Sequence, residues 1–256
     1  MIHPSAIIDP AARLADDVEV GPFSVIGADV EIGAGSVIGP HVVVRGPTTM
    51  GRNNRVYQFA TIGEDCQDKK YRGEATRLEI GDNNIFREGV TVHRGTVQDQ
   101  GVTRIGSGGL FMAYAHVAHD CVLGDNVILA NQATLGGHVH IGDNVILGGL
   151  SAVHQFCHVG TYAMCGGGSI ITKDIAAFVM VTGNPAATHG LNAEGIKRRG
   201  FESDVVNELR RAYKLVFRSQ RTLAQALEEL DQQANRSAWL DVFIDSLRSS
   251  SRGLTR

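Results

Sequence analysis

His119 is followed directly by Asp120, and a histidine beside a carboxylate is equipped to move a proton. Imidazole titrates close to working pH and so serves as a general base. The carboxylate can fix its tautomer and steady the imidazolium formed on proton uptake. His138 and His154 follow at a distance and His116 lies just before. Three histidines could instead hold zinc and generate hydroxide. No serine or cysteine is paired with a base in the sequence, which disfavours a covalent intermediate.

Whether these side chains meet depends on the elements that carry them. Ile2, Ile8, Leu14, Val20, Ile26, Ile32, Ile38, Val44, Met50, Val56 and Ile62 are spaced by six without a break. Glycine follows the aliphatic at Gly21, Gly27, Gly33, Gly39, Gly51 and Gly63. A helix needs a period near 3.6 and a strand alternates every two residues. A period of six means a short strand, a turn and another short strand, with one aliphatic per unit pointing inwards. Gly-Asp-Asn at 81–83, 124–126 and 142–144 supplies turn chemistry. One such unit cannot bury its aliphatic alone, so successive coils must stack. The pattern resembles the hexapeptide-repeat family, which implies a mainly β fold, a left-handed parallel β-helix. Three units then make a coil of 18 residues, with coils about 4.8 Å apart.

The pattern pauses over residues 64–79, resumes at Ile80, Phe86 and Val92, and pauses again over 95–103. It restarts one residue out of phase at Ile105 and runs through Phe111, Val117, Leu123, Leu129, Leu135, Ile141, Leu147, Val153, Val159, Cys165 and Ile171 to Ala177. The pauses are predicted loops thrown out of the coil, natural places for binding residues. Residues 1–185 are therefore expected to form the β-helix and 186–256 a C-terminal helical domain. There, Val205, Val206, Leu209, Ala212, Tyr213, Val216 and Phe217 fall at helical spacing. Thr222 to Gln225 fits a capping box, and Trp239 to Leu247 suggests a further helix.

Counting by eighteen puts Val117, Leu135 and Val153 on the same side of three coils. His119 lies two residues after the first, His138 three after the second and His154 one after the third. All three are expected at one corner, within about 10 Å, with His116 beside it.

The formal charge of −3 gives no basic excess to suggest a nucleic-acid partner. From Glu194 to Arg221, however, eight Lys or Arg face four Asp or Glu, a basic stretch attractive to an acidic or phosphorylated partner. The start, Met1-Ile2-His3-Pro4, lacks the features of a signal peptide, and no apolar run is long enough for a transmembrane segment. Cys66, Cys121, Cys157 and Cys165 show no C-x-x-C pairing, so reduced, partly buried thiols in a cytoplasmic protein are expected.

More specific stretches are Tyr57-Gln58-Phe59-Ala60, Gln67-Asp68-Lys69-Lys70-Tyr71, Arg87 to Thr96, His116 to Gly124, His154-Gln155-Phe156-Cys157 and Lys197-Arg198-Arg199-Gly200-Phe201. Together with the tail Arg252-Gly253-Leu254-Thr255-Arg256 they resemble, over the whole chain, the acyl-carrier-protein–UDP-N-acetylglucosamine O-acyltransferases of lipid A synthesis. The resemblance implies transfer of an (R)-3-hydroxyacyl chain from acyl carrier protein to the 3-hydroxyl of UDP-N-acetylglucosamine. It also implies a homotrimer with sites between subunits, and no cofactor or metal.

By the same resemblance His119 is the general base, Asp120 its orienting partner and Gly137 the source of an oxyanion-binding N–H. Gln67, Asp68, Lys70, His116 and His138 surround the sugar and its phosphates. Asn192, Glu194 and Arg199 hold uridine and phosphate, and His154, Gln155 and Arg198 lie near the acyl or pantetheine arm. Gly167, with Met164 nearby, occupies the acyl-chain ruler, where an open glycine is compatible with about fourteen carbons by the family rule. The chain departs from the family at Lys173-Asp174-Ile175-Ala176-Ala177, where a proline is usual. Some members take a 3-amino sugar. Two other readings stand beside this one: a related β-helix transferase acting at an amine or using coenzyme A, and a non-catalytic binding or scaffold solenoid or a zinc lyase. The zinc-using β-helix enzymes carry a paired H-x4-H spacing that is absent here.

Overall fold

The period of six is realised as two-residue strands joined by four-residue corners. In a computed structural model describing residues 1–256, 27 short strands form three sheets of nine, eight and ten strands. Every third strand along the β-helical stretch pairs in parallel, so each sheet is one face of a triangular prism, a left-handed parallel β-helix. The third residue of a corner sits in the left-handed region, as at Asn126 (φ 56°) and Asn144 (φ 59°). Asparagine tolerates that conformation because its side chain bonds locally.

The second residue of each strand faces inwards. Phe86, Phe111, Val117, Leu129, Leu135 and Leu147 are fully buried, each contributing about 2 kcal/mol or more by removal from water. Phe86 and Phe111 stack with centroids 4.7 Å apart. Ile2, Ile8 and Leu14 depart from the expected burial. Ile2 is 47% exposed and the other two half-buried, because no coil lies beneath the first.

Coils advance by eighteen residues, as Val117 pairs with Leu135 and Leu135 with Val153. Met50 instead pairs with Ile80, and Phe86 with Phe111, so the surplus residues loop out without disturbing the stack. The loops observed are 65–76, between strands Thr61–Glu64 and Arg77–Ile80, and 94–101, between Thr91–His93 and Val102–Ile105. Both leave the corner joining the first face to the second, on the two coils below His119.

At the far end the advance shortens. Val159 pairs with Ile175 and Cys165 with Val181. Ile175 therefore takes the ladder place that the count of six assigned to Ala177. Ala177 is buried nonetheless, its N–H donating to Ser246 Oγ at 2.9 Å.

Strand Val179–Thr182 then pairs antiparallel with Ala187–Leu191. Four helices follow: α1 (Ala193–Arg198), α2 (Ser203–Phe217), α3 (Leu223–Asp231) and α4 (Ala238–Arg248). Thr222 and Gln225 form the capping box of α3. Helix α1 is too short for periodicity to reveal. The helices dock through a ring cluster in which Phe201 lies 4.6 Å from Trp239 and Tyr162 5.6 Å from Phe178. All four cysteines are free and buried, more completely than the sequence suggested.

Candidate active site

Stacking aligns three successive corners residue by residue. Asp120, His138 and Phe156 form one column, all left-handed, with φ of 58°, 60° and 66°. His119, Gly137 and Gln155 form the next, and His154 stands in line with Gly136 and Ala118. The third ring beside the histidine pair is thus Phe156, stacked on His138 at 4.4 Å. His154 is exposed, its Nδ1 only 3.2 Å from the Gln155 carbonyl.

His119 Nδ1 lies 2.8 Å from Asp120 Oδ2. An ionised carboxylate only accepts, so it fixes the proton on Nδ1 and leaves Nε2 free to take another. Asp120 is 2% exposed. Its Oδ1 accepts from the Thr96 N–H at 2.8 Å and its Oδ2 from the Thr96 hydroxyl at 2.6 Å. Burial pushes the Asp120 pKa up, but the bonds from His119 and Thr96 outweigh it and hold the carboxyl below the usual range. The Asp120 N–H donates to Thr103 Oγ1 at 2.8 Å, steadying the corner.

Gly137 faces the His119 ring directly. A Cβ built there would come within 2.5 Å of His119 Cε1 and 2.6 Å of Nε2, so no side chain fits while the imidazole holds its place. The bare backbone therefore lies beside the basic nitrogen, where a developing oxyanion would need a donor.

His138 sits edge-on to His119, with centroids 5.0 Å apart. Its Nδ1 is 2.9 Å from Asp99 Oδ2 and 3.9 Å from Asp120 Oδ2. His116 bonds Thr91 Oγ1 at 2.7 Å and meets the buried His93 edge-on. Burial first, then the neighbouring His119, lowers the His116 pKa. His93 is lowered further, to about 4, by burial and then by His116, His119 and Arg94. Gln67, Asp68 and Lys70 lie on the first loop, where Asp68 accepts from the Lys70 N–H at 2.9 Å. Arg94 ties that loop down through Asp65 and the Tyr71 hydroxyl.

The remaining sequence-named residues lie elsewhere on the prism. Asn192 caps α1 and donates to the Tyr162 carbonyl at 3.0 Å. Arg199 bonds the Asn144 side chain and lies over the Tyr162 ring. Asn192, Glu194, Arg198 and Arg199 line a cavity of about 470 Å³ against the third face, together with Met164. Gly167 is at the corner between the third face and the first, beside Gly149. Within one chain, then, the His119 corner and the α1 cavity do not meet.

His119, Asp120 and His138 offer donor atoms within 4.8 Å of one another. Both Asp120 oxygens already accept hydrogen bonds, which suits the partner of an imidazole better than a metal ligand. Thr96, Asp99, Thr91 and Phe156 were not singled out from sequence as site residues. The first three precede the restart of the repeat at Ile105, so a count of eighteen cannot bring them to the corner. Phe156, at Asp120 plus two coils, could have been found by that count.

Comparison with known proteins adds an independent line. Residues 174–255 match the family model described as UDP-N-acetylglucosamine O-acyltransferase, domain 2. Residues 11–46 and 103–137 match the bacterial transferase hexapeptide model. The chain is 56% identical over 256 residues to a protein of Stutzerimonas stutzeri named acyl-[acyl-carrier-protein]–UDP-N-acetylglucosamine O-acyltransferase, covering 100% of this chain and 99% of that one. A Saccharophagus degradans protein of the same name is 56% identical over 255 residues, with the same coverage. Among solved structures, the UDP-N-acetylglucosamine O-acyltransferase of Moraxella catarrhalis superposes with a TM-score of 0.98 at 51% identity, covering 100% of this chain and 99% of that one. The Francisella novicida acyltransferase gives 0.97 at 38% identity, covering 100% and 94%. No helix is long and apolar enough to cross a membrane.

Proposed function

The chain belongs to the acyl-[acyl-carrier-protein]–UDP-N-acetylglucosamine O-acyltransferase family, and from that premise we propose how its site works. It transfers an (R)-3-hydroxyacyl chain from acyl carrier protein to the 3-hydroxyl of UDP-N-acetylglucosamine, opening lipid A synthesis in the cytoplasm. His119 Nε2 takes the proton of the sugar hydroxyl as that oxygen attacks the thioester carbonyl. The new C–O bond gives a tetrahedral oxyanion that accepts from the Gly137 N–H. Collapse breaks the C–S bond, and the departing thiolate recovers the proton from the His119 imidazolium. Asp120 keeps Nδ1 protonated throughout and balances the transient positive charge.

His116, His138, Gln67, Asp68 and Lys70 hold the sugar and its phosphates. Asn192, Glu194 and Arg199 hold the uridine end, where the planar guanidinium fork suits phosphate, and His154, Gln155 and Arg198 flank the acyl arm. These groups occupy different faces of one prism, which supports a homotrimer whose sites are completed across subunits.

The observation that carries this reading is His119, held by a buried Asp120 with its ring against the bare Gly137 backbone. The test is turnover of hydroxyacyl carrier proteins and UDP-N-acetylglucosamine by His119→Ala. A loss of about a hundred-fold or more is expected, with the assembly still folded, and normal turnover overturns the mechanism. Activity that disappears on chelation would favour the zinc reading instead.

A further inference from the structure

We propose that the loop 94–101 is a working part of the active site. Thr96 is a positioning residue for the His119–Asp120 pair, and Asp99 is a positioning residue for His138. The inference deepens the proposed function, since it rests on His119 as base and His138 as a sugar-binding group.

The loop is anchored as a machine part rather than a slack insertion. A Cβ at Gly95 would come within 2.1 Å of the Val102 nitrogen, so the neck closes only around glycine. Inside the loop, the Gly101 N–H donates to the Thr96 carbonyl at 3.0 Å. The Arg94 side chain at the neck is 9% exposed and bonds Asp65 of the other loop. Thr96 is itself 2% exposed.

Thr96 supplies a donor to each oxygen of Asp120. Without its hydroxyl, Oδ2 accepts from His119 alone, and the carboxylate loses the bond that fixes its rotation. A buried carboxylate short of donors is also drawn towards its neutral form. A protonated Asp120 no longer commits His119 to the tautomer with Nε2 free.

Asp99, three residues on, reaches a different ring. At 2.9 Å its Oδ2 accepts from His138 Nδ1, whereas Asp120 at 3.9 Å is beyond hydrogen-bond range. Phe156 sets the plane of His138, and Asp99 sets which nitrogen carries the proton and leaves Nε2 for substrate. One short loop thus orients two imidazoles with separate duties, so loss of each anchor has its own kinetic signature.

The test uses the full-length enzyme with hydroxyacyl carrier protein and UDP-N-acetylglucosamine. Thr96→Val should lower kcat about ten-fold with little change in KM for the sugar nucleotide, and Thr96→Ser should restore most of it. Asp99→Ala should raise that KM about ten-fold with kcat little changed, and Asp99→Asn, whose amide oxygen still accepts, should recover part. Wild-type constants in Thr96→Val or Asp99→Ala overturn the proposal. So does a common loss in both that tracks a lowered Tm and is not rescued by the conservative variants. His119→Ala separates the two levels: activity retained there overturns the base assignment, while activity lost there beside a normal Thr96→Val overturns only the role of the loop.

Discussion

His119 and Asp120 are chain neighbours whose side chains meet, with Nδ1 and Oδ2 2.8 Å apart. Adjacent residues on a strand point to opposite faces. These two converge because Asp120 sits at the left-handed corner position, with φ of 58°. The His119–Asp120 pair is thus a product of the same corner geometry that folds the whole prism.

Subunit mixing tests the proposal that the site is shared between chains. His119→Ala and Arg199→Ala chains, each inactive alone, should regain activity when unfolded and refolded together, because some interfaces then pair an intact His119 corner with an intact α1 cavity. Light scattering of the wild type should give the mass of three chains. Failure of mixed assemblies to recover would overturn the reading of a site completed across subunits.

The acyl-chain ruler expected at Gly167 is tested by adding a side chain there. A Cβ there meets only the Gly149 backbone, its oxygen at 3.3 Å and its nitrogen at 3.9 Å, so a larger residue fits with a small adjustment. Gly167→Met should fold normally and shift preference to shorter hydroxyacyl chains in a competition assay. An unchanged length profile would reject the ruler.

His93 makes stability fall with acid. Its folded pKa is about 4, below the value of 6.5 expected when free. The unfolded chain therefore binds a proton that the folded chain refuses between those values. Stability should drop by up to about 3 kcal/mol as pH falls from 6.5 to 4 and then level off with respect to this group. Urea unfolding across that range should show a steeper slope in wild type than in His93→Gln, which keeps the part that His116 and His140 contribute.

Asp174 fastens the C-terminal tail. Its Oδ1 accepts from the His158 N–H, and its Oδ2 from the Ser250 hydroxyl and the N–H groups of Ser251 and Arg252, all within 2.9 Å. Burial opposes ionisation, but these donors prevail and hold the carboxyl well below the usual carboxylate range. Its stabilising contribution is complete above about pH 4, the unfolded value, and is lost as pH falls towards the folded one. Asp174→Asn should cost about 2 kcal/mol at neutral pH, and thermal melts should show the gap from wild type closing below about pH 4.

The inward row from Val20 to Ile171 was readable in the chain, because one buried aliphatic per hexad is a linear signal and parallel stacking repeats it without error. So was the alignment of the 118–121 corner with its two successors, since eighteen residues close one coil. Ala177 marks where the count fails, as the last coil shortens to Val159 and Ile175 and no residue in it announces the change. Thr96 and Asp99 lie beyond the count altogether, on a loop that has no period to extrapolate. Only the folded chain brings them to Asp120 and His138, because a loop's path is decided by what it packs against and not by its own repeat. Likewise the separation of Arg199 from His119 follows from which face α1 docks on, and that is decided by the ring cluster of Tyr162, Phe178, Phe201 and Trp239.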